Sequence, residues 1–160
     1  MSSPGQMHVR VTKSEQQVSG LRQARVGSRK PHRNLVAWQI AMDLASSVYR
    51  VTAAFPKEEI YGLVSQMRRA AVSVSSNIAE GAADRTAQQF VNFLSNAIGS
   101  LNELDTQLEL ALRLCYLSQE DYNRLQSTVD ECLAVAYGLK KSLRLKGLTS
   151  KGSLGGPKHA

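Results

Sequence analysis

From Phe90 to Cys115 an apolar side chain recurs at alternating steps of four and three residues, through Leu94, Ala97, Leu101, Leu104, Leu108 and Ala111. All eight positions of this series are apolar. An α-helix makes a turn every 3.6 residues, so the spacing lines one face of a long helix, a pattern that no strand presents. A second series, Tyr122, Leu125, Val129, Cys132, Ala136, Leu139 and Leu143, repeats the pattern without a break. Two such stripes each need a covering surface, met at the shallow crossing angle of coiled-coil-like packing.

The partners lie upstream. Trp38, Met42, Ala45 and Tyr49 run beside a second row of Ala41, Leu44, Val48 and Val51, and Ile60, Leu63, Met67, Ala70, Val74 and Ile78 follow. The pattern predicts four amphipathic helices with locally marked ends. Asn34 is expected to cap the first, and Phe55-Pro56 to end it, because the residue before a proline avoids the helical region. Gly81 is expected to stop the second helix in a left-handed conformation. Thr86 with Gln89, and Ser118 with Asp121, read as N-caps whose third helical residue reciprocates. Short junctions force sequential helices antiparallel, so the expected all-α fold is an up-down-up-down four-helix bundle over residues 34–144. Its third helix, at about 28 residues, would be roughly 42 Å long.

A chain of 160 residues with 42% apolar and 21% charged residues fits one domain able to bury its own core without metal or disulfide. Cys115 and Cys132 stand far apart with no CxxC pattern, which argues against zinc and against a disulfide framework, and suits a reducing, cytoplasmic setting. Both fall on the stripes, where cysteine serves as a small buried hydrophobe. No apolar run reaches signal-peptide or membrane-spanning length, so membrane insertion is not expected.

The net charge of +7 is unevenly placed. Residues 1–34 hold seven Lys and Arg against Glu15 alone, and residues 145–160 hold Lys146, Lys151 and Lys158 with no acid. The segment between them is therefore −2. Both ends are poor in large apolar residues and read as disordered basic tails, 1–33 and 145–160. Two readings of them stay open: arms that attract polyanions by counterion release, or segments that aid solubility only.

Catalytic constellations are missing. His8, His32 and His159 all fall in the expected tails, so no imidazole is placed in a rigid site as base or ligand. Neither GxGxxG nor GxxxxGK[ST] occurs, and no ExxH repeat suggests a di-iron bundle. No enzymatic activity and no cofactor or metal are expected. Trp38 reads as a core or interface anchor.

The second helix is different. Its run QMRRAAVSVSSNIAEG places Gln66, Arg68, Arg69, Ser73, Ser75, Ser76, Asn77 and Glu80 among alanines. Small residues allow close helix approach, and the polar ones can then satisfy one another across a contact. This run, with NLVAWQIAMDLA (34–45), FPKEEIYGLVSQMRRAAVSVSSNIAEGAA (55–83) and FLSNAIGSLNELDTQLELALRLCYL (93–117), closely resembles the 23S rRNA intervening-sequence proteins, a four-helix-bundle family. The resemblance covers about residues 34–144 in order. Its strongest signature includes Phe55, Pro56, Gly62, Gln66, Arg68, Arg69, Ser73, Asn77, Glu80 and Gly81. The long tails depart from a compact member and take no support from it.

The resemblance implies a homopentameric ring of bundles and an association with inserts in large-subunit ribosomal RNA genes. A related branch serves as accessory protein to the reverse transcriptase of diversity-generating retroelements. The leading expectation is a non-enzymatic, oligomeric, RNA-associated accessory. Its phosphate contacts are assigned to Arg68, Arg69, Arg85, Lys140, Lys141, Arg144 and the tails. The motif positions Trp38, Gln66, Asn77, Glu80 and Gly81 are read as structural or interface residues. The alternatives are a protein that docks on a reverse transcriptase, or a plain structural oligomer in which Arg68 and Arg69 pair with Glu80 or Glu103 across subunits.

Overall fold

The computed structural model describes residues 30–84 and 86–152, with side chains described as far as Gly147. Four helices account for most of it: α1 (Val36–Thr52), α2 (Leu63–Ala83), α3 (Ala87–Arg113) and α4 (Gln119–Gly152). α1 packs on α2, α2 on α3, α3 on α4, and α4 returns to α1, while neither diagonal pair packs together. This is the square cross-section of an antiparallel four-helix bundle, as the stripes require.

The stripes form the core. Leu94, Leu101, Leu104 and Leu108 of α3 meet Leu125, Val129 and Cys132 of α4, Leu44 and Val48 of α1, and Met67, Val74 and Ile78 of α2, all fully buried. Each large side chain buried in this way contributes about 1.5–3 kcal/mol relative to exposure. Burial drives the Cys132 thiol up to about 12, as expected of a cysteine packed as a hydrophobe. α3 has 27 residues, about 40 Å.

Caps decide the junctions. Thr86 accepts a hydrogen bond from the Gln89 amide at 3.2 Å, and Ser118 accepts one from the Asp121 amide at 3.1 Å. Asn34 does not cap α1. Pro31 opens a 3-10 turn, Pro31–Asn34, that absorbs it, and Leu35 takes the cap position with extended backbone and no side-chain bond. Nor is His32 in a loose tail: it belongs to that turn, with its ring centroid 5.0 Å from that of Trp38. Its pKa is lowered by desolvation, then by Arg33 and Lys30.

Ile60 leaves the stripe to which its spacing assigned it. It ends a second 3-10 turn, Lys57–Ile60, and is exposed. α2 starts only after Gly62, and Glu59 caps it by accepting from the Leu63 amide at 2.9 Å. A Cβ on Gly62 would lie 2.6 Å from that carboxylate oxygen, so glycine lets the cap reach the helix.

Gly81 does not end α2. The helix runs through it to Ala83. Gly81 is buried, and a Cβ there would fall 2.4 Å from Phe90 Cδ2 and 2.9 Å from Phe93 Cβ of α3. The missing side chain, not backbone freedom, is what the position uses. A left-handed cap occurs elsewhere, at Cys115, with φ of 59°. Cys115 N–H donates to Leu112 O and Tyr116 N–H to Ala111 O, both at 2.9 Å, closing α3 in a Schellman arrangement. Cys115 is therefore exposed, although the stripe would have buried it.

α4 continues past residue 144 to Gly152, where a tail was expected. Adding residues to a formed helix needs no new nucleation, so the end persists beyond its tertiary contacts. Those contacts fade gradually: Ala136 is buried, Leu139 and Leu143 are half-buried, and Lys141, Arg144, Leu145 and Lys146 are exposed. The remainder of the expected tails, residues 1–29 and 153–160, lies outside the described residues.

Candidate functional site

Two surfaces collect the residues singled out by sequence. The first covers the outside of the α1–α2 pair. Arg68, half-buried, donates from Nε to Thr52 Oγ1 at 2.9 Å, and its guanidinium lies 4.7 Å from the Tyr49 ring centroid. Thr52 in turn donates to Val48 O at 2.8 Å. The chain fixes Arg68 through hydroxyl and ring rather than through a carboxylate. Among the described residues no acid pairs with Arg68 or Arg69.

Arg68 and Arg69 border a concavity of about 750 Å³ that also takes in Gln66, Ile60, Tyr61 and Glu103. Tyr61 is 95% exposed and Ile60 51%, an unusual pair of apolar side chains to leave in water. Beyond the shared residues Tyr49 and Val72, a shallower groove of about 580 Å³ continues along the same face past Trp38, Met42, Ser75 and Ala79. Trp38, half-buried, is one wall of this groove. Small residues on its floor let another surface approach closely.

Asn77 turns inward. Its Nδ2 donates to Ser73 O at 2.8 Å and Ser73 Oγ at 3.1 Å, while Ser100 of α3 donates to the same Ser73 hydroxyl at 2.9 Å. These polar groups satisfy each other across the α2–α3 contact. Glu80 is exposed on α2, and Gly81 is sealed against the two phenylalanines. Arg85 lies outside the described residues.

The second surface is the far end of α4. After Glu131 the chain has no further acid. Lys140, half-buried, and the exposed Lys141 and Arg144 border an open depression of about 460 Å³ with Tyr137 and Leu145. Tyr137 was not among the residues expected from sequence, although an aromatic one step off the stripe and three residues before two lysines was a readable signal. The two arginines of α2 and the cations of α4 lie in separate depressions.

Among the described residues no three or more His, Cys, Asp or Glu side chains gather in a metal-holding group, and no helix is long and apolar enough to cross a membrane.

With this geometry in view, a family model described as 23S rRNA-intervening sequence protein matches residues 33–138. The chain belongs to that family. A crystal structure at 1.70 Å resolution of a protein of unknown function from the S23 ribosomal protein family of Bacteroides thetaiotaomicron VPI-5482 has the same fold, with a TM-score of 0.62 at 21% identity. The alignment takes in 66% of this chain and 96% of that one. No curated protein matches significantly. The family match stops at residue 138, so Lys140, Lys141 and Arg144 lie beyond it, on a stretch of α4 where Leu139 and Leu143 still pack against the core.

Proposed function

We propose that this chain is a non-enzymatic, homo-oligomeric accessory protein that holds structured RNA by phosphate contacts in the cytoplasm. The observation that carries the reading is the acid-free end of α4, where Lys140, Lys141, Arg144 and Lys146 follow one another on a helix with no carboxylate after Glu131. Cations on a rigid rod neutralise phosphates without reading sequence, so binding is weakly specific and steeply salt-dependent. The seven Lys and Arg of residues 1–34 add to the same field. Membership of a family described by a ribosomal RNA insert supports an RNA partner over another polyanion.

Self-association is assigned to the α1–α2 face. Ile60, Tyr61, Tyr49 and Val72 are too exposed for a surface facing water only, and large, exposed apolar patches mark contact sites. Five copies is the number that the resemblance implies. Ile60 and Tyr61 also suit a second reading, docking of a reverse transcriptase on this face, for which a neighbouring reverse transcriptase gene is the discriminating observation.

Filter retention of a structured RNA at 50 and 200 mM salt tests the leading reading; strong retention at the lower and loss at the higher is expected, and no retention at either rejects it. Replacing Arg68 and Arg69 by alanine and measuring mass in solution tests the assignment of surfaces. A drop in mass marks the face as an interface. Intact mass with weakened RNA binding moves it to the RNA surface.

A further inference from the structure

One aromatic ring stands among the cations at the end of α4, outside the core of the bundle. Tyr137 is 53% exposed. Steps of three, four and seven residues place Lys140, Lys141 and Arg144 on the face of the helix that Tyr137 occupies, and these four side chains with Leu145 line one depression. Two turns earlier on that face stands Asp130, with Glu131 beside it, the last acids of the chain. The charges therefore set a direction: a polyanion is repelled from the first half of α4 and drawn along the second.

Phosphate neutralisation alone does not call for an aromatic ring. A tyrosine face accepts a nucleobase only when the base has left its own stack, because duplex bases are covered on both sides. Stacking platforms flanked by cations are the recurring solution for single strands, and they tolerate any base. A membrane surface fits less well. The described part of this face offers only Tyr137 and Leu145 as exposed apolar side chains, too little for an amphipathic helix buried among lipid headgroups.

We infer that Tyr137 is a base-stacking platform and that Lys140, Lys141 and Arg144 hold the adjoining phosphates, so that the end of α4 is a subsite for unpaired nucleotides. The inference rests on the proposed association with RNA and narrows it to the single-stranded parts of a folded RNA. Tyr137 lies just inside the end of the family match, and Lys140, Lys141 and Arg144 lie just beyond it.

The test uses the full chain, with fluorescence anisotropy of a labelled single-stranded RNA octamer and of a blunt duplex containing the same octamer. Tyr137→Ala is expected to weaken octamer binding about tenfold, within the range measured for loss of one stacked base. The salt slope should stay the same, because no phosphate contact is lost. Tyr137→Phe keeps the ring and should bind as the parent does, and the duplex should bind more weakly and ignore both substitutions. Tyr137 is exposed, so helicity by circular dichroism should not change in either variant.

The outcomes separate the two levels of the argument. If the parent binds neither RNA, the association itself fails and the subsite falls with it. If the parent binds both RNAs with salt dependence and Tyr137→Ala binds the octamer equally well, the subsite alone is overturned. Tight binding to phosphatidylserine-containing vesicles that the octamer does not displace also overturns it, in favour of a lipid surface.

Discussion

At the end of the bundle where α1 passes to α2 and α3 to α4, two loops are knit together; at the opposite end, α4 extends to Gly152 with its exposed face rich in cations. The knitted end buries Phe55 with its ring 5.5 Å from that of Tyr116, and Tyr116 donates a hydrogen bond to the Glu59 carboxylate that caps α2. Burial, followed by the charge of Glu59, raises the Tyr116 pKa. The other end packs Gly81 against Phe90 and Phe93 and Trp38 against His32, then lets a basic helix continue past its last buried residue, Ala136. At the first end Phe55, Tyr116 and Glu59 are committed to one another, while Ile60 and Tyr61 beside them stay exposed. At the second end the exposed groups are Tyr137, Lys141 and Arg144 of α4.

The contrast can be broken first at Phe55. Replacement by alanine removes a buried aromatic and should cost about 3–5 kcal/mol in urea denaturation; a loss below 1 kcal/mol would mean that the loops are not knit. At the opposite end Gly81→Ala gains helix propensity but forces a methyl group onto the Phe93 Cβ, anchored to the α3 backbone. A net loss of about 1–3 kcal/mol is expected by the same measurement, whereas a stabilised variant would mean that α3 does not need the room of the missing Cβ.

Those two residues show how much the sequence disclosed. The steps of four and three were legible because a core stripe has only one way to be spaced, and the bundle followed from them. Gly81 was misread because glycine serves both where backbone must turn left-handed and where a neighbour needs the room of a Cβ, and a sequence does not separate the uses. Cys115 continued the stripe by count, yet α3 stops at Arg113 and the chain turns there. Ile60 kept the right interval across a proline-led 3-10 turn in which helical spacing no longer holds. The clustering of Arg68 with Tyr49 and Thr52 depends on two helices meeting, so no local pattern could announce it. The length of α4 was hidden by composition: LKGLTSKG reads as a tail, and only its attachment to a packed helix extends it.

Smaller effects sharpen the comparison. Glu59→Ala removes the α2 cap and should cost about 1 kcal/mol, with Glu59→Gln recovering part of it; equal stability of all three would place the loop outside the knitted end. Cys115→Gly relieves a left-handed non-glycine residue and should stabilise by about 1 kcal/mol, seen as a rise in the urea midpoint, while a fall would contradict the Schellman geometry.

The least effect on stability is expected where the functional effect is greatest. Lys140→Gln, Lys141→Gln and Arg144→Gln together should change unfolding free energy by no more than about 0.5 kcal/mol, because Leu139 and Leu143, not these cations, are the side chains that pack on the core here. In the same protein, the slope of log affinity for RNA against log salt should become shallower by about 2 to 3, the share of three phosphate contacts. An unchanged slope and affinity in the folded triple variant would contradict the claim that this end of the molecule is where RNA is held.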